Sequence, residues 1–511
     1  MKDESEVKKI FFYKFMENHL KKVSSGVFFI FLFSVFGAFV SYLIRFILTA
    51  NLTPAEYGLF YSCIALVGLF SLLKDFGLTS SLVYYISKFR AERKREKIKT
   101  SVITTFVIQS LPAMIIATIL IIFANFFAEN YLHLADVYIG SLIIKILAIA
   151  FFVNIPFSII HSIFKGFQKM KLFAISEFTR LLSWFIFTYL FILYNYSAVS
   201  PAFGFLISYI FVILMFLPFT AKLIPKVKFS FNKELTKKLI LYGFPVMLSS
   251  AAGVVIGYTD TILITIFKGL EDVGIYQTAQ PTARLLWFFA GAFATVLFPL
   301  VTELKTKKKI NDLEIGISLI YKYIWIIVIP FSLMAFSFSD EILNLFFGSF
   351  YSQGSYVLKI LAIGAIVFSI VQINGTVING LGKPKNYTKI VYIGAIVNLV
   401  GNLVLIPKTG INGAAISTLL TYIIMLFFSF NELKKFVKIR VPVSDWIKTL
   451  VCGLIALGIV YVLKDIIVAN VFIEVFVCFV GSVGTFMVLL VLLKVIDVKE
   501  IIGLIKQIIK K

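Results

Sequence analysis

The chain has 511 residues, of which 60% are hydrophobic and only 15% are charged. Soluble domains are about 45–50% apolar and about 25% charged, so this composition excludes an ordinary soluble protein and indicates that apolar surface faces lipid. The formal net charge is +23, but the basic residues sit in short runs between apolar segments, which argues against a nucleic-acid-binding domain.

Fourteen apolar segments are long enough to cross a membrane as helices, since a spanning helix needs about 20 mostly apolar residues. In chain order the predicted spans are 24–49, 57–80, 101–125, 138–163, 172–194, 201–221, 238–267, 283–303, 314–337, 356–378, 389–406, 411–430, 446–463 and 471–493. The second span is predicted to run on towards Ser87, with a bend at Gly77. The basic segment ending at Lys22 and the tail from Val498 are predicted to lie at the membrane surface as amphipathic helices.

The basic residues outside the spans lie overwhelmingly on one side of the predicted topology. Counted over alternate connections and both tails, 38 lysines and arginines share the side of the N-terminus. The opposite side holds only Lys268, Lys408 and Lys464. Lysine and arginine are enriched in cytoplasmic connections, so both termini are predicted to be cytoplasmic. A single missed helix would invert the alternation after it, so the charge pattern also supports fourteen spans.

The two halves of the chain resemble each other in sequence. The matched pairs are 56–60 with 272–276, 141–149 with 355–363, and 166–173 with 380–387. All three pairs fall in order at nearly one offset, which indicates a duplicated unit of six spans. Because six is even, the two copies share one orientation and form a parallel repeat. Parallel repeats are typical of transporters, which bind substrate between the copies near the middle of the membrane.

The predicted fold class is therefore an all-α polytopic membrane protein with two parallel six-helix lobes and a C-terminal two-helix hairpin. Its predicted domains are an N-lobe at 1–221, a cytoplasmic linker at 222–237, a C-lobe at 238–430, and the hairpin with its amphipathic tail at 431–511. All connections between spans are short. No connection has room for a catalytic domain outside the membrane.

Local motifs accompany this arrangement. They are Leu52–Gly58 (LTPAEYG), Lys74–Leu78 (KDFGL), Tyr258–Asp260 (YTD) and Val273–Tyr276 (VGIY), with lysine-rich turns at Gly166 and Gly380. In order and spacing the chain resembles the polysaccharide-transporter, or O-antigen flippase-like, family of the multidrug/oligosaccharidyl-lipid/polysaccharide (MOP) exporter superfamily. The resemblance covers almost the whole chain.

The resemblance implies a secondary transporter in a plasma membrane. Such a protein flips an oligosaccharide linked to a polyprenyl phosphate or diphosphate from the cytoplasmic to the outer leaflet, by alternating access, for surface glycan assembly. The implied partners are the lipid-linked oligosaccharide, membrane lipids, polysaccharide-assembly proteins, and a proton or sodium ion as coupling ion. Nucleic acid, cofactors and a metal site are not expected.

Ionisable residues inside spans are costly, and they usually face a cavity or a partner. An anionic head group would suit a cationic cavity, and arginine offers phosphate a planar fork of donors. The candidates for binding substrate are Arg45, Lys74, Arg180, Arg284 and Lys322. The candidates for gating or ion coupling are Asp75, Glu177 and Asp260. By contrast, Lys145 and Lys359 lie near span ends and are expected to reach the interface.

Several of these charges also have a structural interpretation. Lys74 and Asp75 are adjacent and can neutralise each other, while Glu177 and Arg180 have the i, i+3 spacing of a local helix pair. Arg284 and Lys322 have no acidic partner visible in the sequence.

Arg45 and Asp260 occupy nearly equivalent points in the two copies of the repeat, at the offset of the first matched pair. We therefore expect them to face each other across the cavity. They would form a gate, a substrate site or a static ion pair between the lobes.

Other functions are weighed beside flipping. A small-molecule or drug exporter of the same superfamily would usually have twelve spans, and a peptidoglycan-precursor carrier would have fourteen. A membrane glycan polymerase or transferase would have no need of the repeat, and a scaffold would not need buried charge. The sequence contains neither G-x-x-x-x-G-K-[ST] nor H-E-x-x-H, so ATP-driven transport within this chain and zincin chemistry find no support.

Overall fold

A computed structural model describes residues 25–225, 227, 231–439, 441–466 and 471–496. The described chain is helical throughout, and fourteen of its helical segments are long and apolar enough to cross a membrane. The predicted all-α membrane fold and the predicted number of spans are therefore confirmed. The two predicted amphipathic segments, before Lys22 and after Val498, lie outside the described residues.

The described residues form nineteen α-helices. In chain order they are α1 Ser25–Asn51, α2 Pro54–Leu69, α3 Ser71–Asp75, α4 Leu78–Ala91, α5 Arg95–Ile122, α6 Ala124–Asn130, α7 Val137–Gly166, α8 Met170–Leu193, α9 Ser200–Leu223, α10 Lys233–Phe267, α11 Leu270–Arg284, α12 Trp287–Thr306, α13 Ile310–Ser337, α14 Ser339–Phe347, α15 Ser355–Gly380, α16 Pro384–Thr409, α17 Ile411–Leu433, α18 Val443–Ile466 and α19 Val471–Leu492. Two short 3₁₀ turns, Ser197–Val199 and Ser349–Gly354, precede α9 and α15.

Helix α2 begins abruptly because its first turn is capped in both directions. The Glu56 backbone N–H donates to Thr53 Oγ1 over 3.2 Å, and the Thr53 backbone N–H donates to Glu56 Oε2 over 2.9 Å. This is a capping box, and Pro54 in the first helical turn favours the same start. The Ser197 hydroxyl donates to the other carboxylate oxygen of Glu56 over 2.6 Å. The motif at Leu52–Gly58 thus ties the start of the second span to the connection before α9.

The second span is broken into three helices, α2, α3 and α4. Phe76 and Gly77 have φ angles of 47° and 67°, the left-handed region in which helices commonly end. A Cβ atom at Gly77 would lie 2.0 Å from the carbonyl oxygen of Gly243, so the break packs backbone to backbone against α10. The predicted bend at Gly77 is confirmed, and the helical path continues to Ala91.

The eighth span, predicted at 283–303, lies at Trp287–Thr306, and the connection before it is also helical. Helix α11 already begins at Leu270, in a stretch that was predicted to be an outer connection. Its polar side chains made it look like a loop, but several are buried and paired inside the protein. Gln277 Nε2, for example, donates to Thr261 Oγ1 over 2.7 Å. Polar groups are tolerated inside a membrane protein when other helices satisfy their hydrogen bonds.

Helices α2 and α11 approach each other so closely that only glycine fits between them. A Cβ at Gly58 would lie 1.8 Å from the Leu270 carbonyl oxygen, and a Cβ at Gly274 would lie 2.4 Å from the Pro54 carbonyl oxygen. The two glycines are matched positions of the internal sequence similarity. Their reciprocal contact joins the first half of the chain to the second.

The last two spans pack against α13. The Trp446 and Trp325 rings stack with their centroids 4.4 Å apart, and Trp446 Nε1 donates to the Tyr321 carbonyl over 3.1 Å. At the other end of α18, Lys464 Nζ lies 2.5 Å from Glu341 Oε1. The hairpin is therefore held at both ends of α18.

Candidate functional site

A cavity of about 370 Å³ lies where α1 and α2 face α10 and α11. Both halves of the chain contribute to its wall. The polar and aromatic side chains that line it include Tyr42, Arg45, Tyr61, Tyr258, Gln280 and Arg284. We call it the arginine cavity. It brings together two residues that were predicted to bind substrate, Arg45 and Arg284, one from each half.

Arg45 is held by aromatic side chains. Its guanidinium carbon lies 4.7 Å from the ring centroid of Tyr61, and Nη1 donates to the Tyr57 hydroxyl at a long 3.5 Å. The Tyr57 hydroxyl in turn donates to the carbonyl oxygen of Gln277 in α11 over 3.2 Å. Cation–π contacts orient a guanidinium without neutralising it, so the positive charge remains available to the cavity.

Arg284 lies at the end of α11, with its guanidinium carbon 5.3 Å from the ring centroid of Trp287. Its buried Nε has no hydrogen-bond partner. Within the described residues, neither Arg284 nor Arg45 forms an ion pair with a carboxylate. Two uncompensated guanidiniums in one cavity can hold a phosphate or diphosphate through charge-assisted, bidentate hydrogen bonds.

Asp260 is buried in the second half of the chain among neutral donors. Its carboxylate accepts hydrogen bonds from Tyr276 (2.6 Å), Asn402 (2.6 Å), Thr418 (3.1 Å), Gln280 (3.2 Å) and Asn398 (3.2 Å). These donors come from α11, α16 and α17. A buried carboxylate whose partners are all uncharged keeps its full negative charge when ionised, which suits a proton or a small cation as a ligand.

The expected contact between Arg45 and Asp260 does not form. Thr261 lines the arginine cavity, whereas Asp260, one residue earlier, points to α16 and α17. One residue along an α-helix is a rotation of about 100°, enough to move a side chain from the cavity wall to the helix behind it. Gln280 connects the two regions, because it lines the cavity and also donates to Asp260.

Lys74 and Asp75 do not form a direct ion pair and bond to different partners. Lys74 Nζ donates to Asn154 Oδ1 over 2.8 Å and to the Phe151 carbonyl over 2.9 Å. Asp75 accepts from Gln109 Nε2 over 2.6 Å and from Thr79. Lys74 lines a second space of about 220 Å³ beside the arginine cavity.

Glu177 and Arg180 form the local ion pair that their spacing predicted, with Arg180 Nη2 2.6 Å from Glu177 Oε1. His161 Nδ1 lies 3.7 Å from the other carboxylate oxygen, and the His161 Nε2 atom hydrogen-bonds the Ser176 hydroxyl at 3.0 Å. Glu177 also lines a third space of about 300 Å³ between α1 and α8. The charge of Arg180 is therefore largely neutralised within its own helix.

Lys322, a candidate for the substrate site, does not line the arginine cavity. Lys322 Nζ lies 3.4 Å from Asp445 Oδ2 at the start of α18. The sequence hid this partner because 123 residues separate the two positions. Lys322 therefore fastens the hairpin to α13. Lys359, expected at the interface, lies 3.5 Å from Asp340 Oδ2.

Sequence analysis missed the aromatic and amide side chains of the cavity. Tyr42, Tyr61 and Tyr258 line it, and Gln280 lies in a segment that was assigned to a connection. Tyrosine within an apolar span has no signal that separates a cavity wall from a lipid-facing surface. A hydrophobicity scale gives the same value to a tyrosine in a cavity wall and to a tyrosine that faces lipid.

A charged cavity between two halves of a helical membrane protein is the architecture of a transporter. A family model described as polysaccharide biosynthesis protein matches residues 23–305, and a second model, MatE, matches residues 245–404. The chain is 32% identical over 507 residues to an uncharacterized membrane protein of Methanocaldococcus jannaschii, MJ1068, with 97% of this chain and 100% of that protein covered. The chain belongs to the polysaccharide biosynthesis protein family of the MOP superfamily, which confirms the resemblance.

Other similarities agree with this assignment. The chain is 25% identical over 448 residues to a Haloferax volcanii protein named probable low-salt glycan biosynthesis flippase Agl15, covering 88% of this chain and 91% of that one. The solved structure of the lipid II flippase MurJ in an inward closed conformation has a TM-score of 0.73 over 90% of this chain and 97% of its own, at 18% identity. An inward-facing MATE family transporter has a TM-score of 0.64 over 78% and 95%, at 14% identity. These two structures show the shared fold.

Proposed function

We propose that the chain is a secondary transporter that flips an oligosaccharide linked to a polyprenyl phosphate or diphosphate from the cytoplasmic to the outer leaflet. The arginine cavity carries this proposal. It places one uncompensated guanidinium from each half, Arg45 and Arg284, in a space that both halves line. Family membership and the flippase names of relatives support the substrate class.

The transport cycle we propose is alternating access between an N-lobe, 1–221, and a C-lobe, 238–430, joined by a linker at 222–237. In this structure α2 and α11 are in backbone contact at Gly58 and Gly274. This contact lies towards the side with few basic residues, which the positive-inside rule makes the outer side. It would therefore close the cavity to the outside and would have to separate when the glycan leaves.

The proposed location is a plasma membrane with both termini in the cytoplasm. The 38 basic residues on one side against 3 on the other support this orientation. A membrane potential that is negative inside would then favour outward movement of an anionic head group.

Asp260 is the coupling residue that the geometry favours. Glu177 is paired with Arg180, and Asp75 accepts hydrogen bonds from Gln109 and Thr79 within the first half. Asp260 instead lies among neutral donors, and its partner Gln280 lines the arginine cavity. We propose that a proton or a sodium ion at Asp260 stabilises one arrangement of α10 and α11, and so one access state. Polysaccharide-assembly proteins would act on the flipped product.

The test uses purified protein in liposomes that contain a fluorescent polyprenyl-diphosphate oligosaccharide. Its accessibility to a membrane-impermeant reagent is followed with and without proton and sodium gradients. We expect transfer that depends on the protein and is lost in Arg45→Ala, whereas Lys145→Gln, on a residue that lines none of the three spaces described, transports normally. Glycan polymerisation or transfer in the same vesicles would instead indicate an enzyme.

The match to the MatE model supports a second candidate function, export of a small molecule. The same vesicles distinguish the two functions. Protein-dependent efflux of fluorescent organic cations, with no transfer of any lipid-linked glycan, would favour the exporter.

A further inference from the structure

Lys74 is a buried cation whose direct partners are all uncharged. Its side chain is 8% exposed, and its Nζ donates to Asn154 Oδ1 and to the carbonyl oxygen of Phe151. The ammonium also lies 4.1 Å from the ring centroid of Phe151. An ammonium group has three N–H donors, so one donor remains after these two hydrogen bonds.

No carboxylate forms an ion pair with Lys74 in the described part of the chain. The adjacent Asp75 is bonded to Thr79 in α4 and to Gln109 in α5, and Lys74 forms no ion pair with it. An isolated charge is expensive to bury, and buried charges are normally paired. An unpaired ammonium on the wall of a cavity therefore marks a place for an anionic ligand.

The space beside Lys74 combines polar and aromatic side chains with an otherwise apolar wall. We call it the lysine chamber. Its wall combines the ammonium of Lys74 and the amide of Asn154 with the rings of Tyr209 and Tyr258. It shares Ile64 and Tyr258 with the arginine cavity, so the two spaces adjoin.

The lysine chamber and the arginine cavity are adjacent but have different charged residues. Lys74 lines only the chamber, and Arg45 and Arg284 line only the cavity. A chain of a few linked sugars that begins at the arginine cavity can reach the lysine chamber.

We propose that the lysine chamber binds a carboxylate-bearing sugar, a uronic acid, within the glycan of the transported lipid. This inference rests on the proposed flippase function and adds a substrate class to it. A neutral sugar would offer Lys74 hydroxyl groups and leave its charge uncompensated. A uronic acid offers a carboxylate that accepts the remaining N–H and neutralises the ammonium.

The test compares four polyprenyl-diphosphate trisaccharides in the vesicle assay. One contains three neutral hexoses, and the others contain glucuronic acid in place of the first, second or third sugar. Thermal stabilisation of the detergent-solubilised protein by each lipid measures binding separately from transport. We expect one of the acidic lipids to be bound and transported about tenfold better than the neutral lipid, as one charge-assisted hydrogen bond implies.

Two variants remove the anion preference by different routes. Lys74→Gln deletes the cation, and Asn154→Asp places a carboxylate of nearly the same shape against it. Each is expected to reduce the ratio of acidic to neutral lipid to about one, while Lys74→Arg keeps the preference. Lys145→Gln removes a charge outside the chamber and is the matched control. Asn154→Asp keeps the side-chain volume, so it remains a test if Lys74→Gln fails to fold.

The results separate this inference from the proposed function. Equal handling of all four lipids by the wild type overturns the uronic-acid site and leaves the flippase function standing. So does an acid preference that survives both Lys74→Gln and Asn154→Asp. Failure of the wild type to bind or transport any of the four lipids overturns the flippase function, and the uronic-acid site with it.

Discussion

Gln280 donates from Nε2 to Asp260 Oδ2 over 3.2 Å and at the same time lines the cavity that contains Arg284. Arg284 follows Gln280 by four residues, one turn of the same helix. A single hydrogen bond therefore connects the Asp260 carboxylate to a residue in the wall of the proposed substrate site. We therefore expect a change at Asp260 to reposition α11, and with it the guanidinium of Arg284.

This relationship predicts that Gln280→Leu weakens ion coupling. The leucine cannot donate a hydrogen bond to Asp260. Protonation of Asp260, or cation binding to it, would then no longer change the position of residue 280 in the cavity wall. We expect the stimulation of transport by a proton or sodium gradient to fall towards one, as in Asp260→Asn. The measurement is the ratio of transport rates with and without each gradient. Wild-type stimulation in Gln280→Leu would contradict the prediction.

Arg45→Ala and Arg284→Ala should each weaken binding of the lipid diphosphate about 10- to 100-fold, since a hydrogen bond to a charged group contributes about 1.5–3 kcal/mol. Lysine at either position should restore part of the loss, because it keeps the charge but not the planar fork. Binding can be measured from the concentration dependence of thermal stabilisation. The Lys145→Gln protein is the control, and unchanged affinity in both alanine variants would contradict the prediction.

A disulfide between α2 and α10 should stop transport. The Ser62 and Thr265 hydroxyl oxygens lie 2.8 Å apart, so the two side chains are in contact and we expect cysteines at both positions to cross-link in this conformation. The test uses Ser62→Cys with Thr265→Cys in a protein whose native Cys63, Cys452 and Cys478 have been replaced.

Oxidation is expected to abolish lipid transfer in the double variant, and a reducing agent is expected to restore it. Each single cysteine variant serves as a control for oxidation itself. Undiminished transfer by fully cross-linked protein would show that these two helices need not separate during the cycle.

Lys322→Ala should lower stability without changing substrate affinity, because its partner is Asp445 in the hairpin. The pair is partly exposed, so the expected loss is about 1 kcal/mol or less. Thermal melting and lipid binding measured on one preparation separate the two effects. The charge swap Lys322→Asp with Asp445→Lys should recover part of the melting temperature. A loss of lipid affinity at normal stability would return Lys322 to the substrate site.

Hydropathy predicts the fourteen spans of this chain well, because a lipid-facing helix must be apolar over about 20 residues. Helix α11 is an exception, because hydropathy did not predict it. Its polar residues face other helices, and Gln277 is bonded to Thr261, so its sequence resembles a connection. A hydropathy scale measures how favourable it is to bury a residue in lipid. It does not identify polar residues that are buried against other helices of the protein.

The site was predictable in part. A rare arginine inside a predicted span drew attention to Arg45, Arg180 and Arg284, and two of these, Arg45 and Arg284, line the arginine cavity. The pairing of charges is harder, because it depends on helix rotation and on contacts far apart in sequence. Asp260 immediately precedes Thr261 of the cavity wall, but the rotation of the helix points its side chain away from the cavity. Asp445 lies at the start of α18, whereas its partner Lys322 lies in α13. Neither fact has a local sequence signal.

The second span makes close backbone-to-backbone contacts with the other half of the chain at two positions. Gly58 packs against α11 and Gly77 packs against α10, and the two positions are 19 residues apart, or at most about 28 Å at the helical rise of about 1.5 Å per residue. That length is close to the thickness of the hydrocarbon layer. A protein that must open first at one face and then at the other could release one of these glycine contacts while keeping the second. The span would then pivot about one glycine contact in one access state and about the other glycine contact in the next. A residue with a Cβ atom in place of either glycine would remove one of these two pivot points.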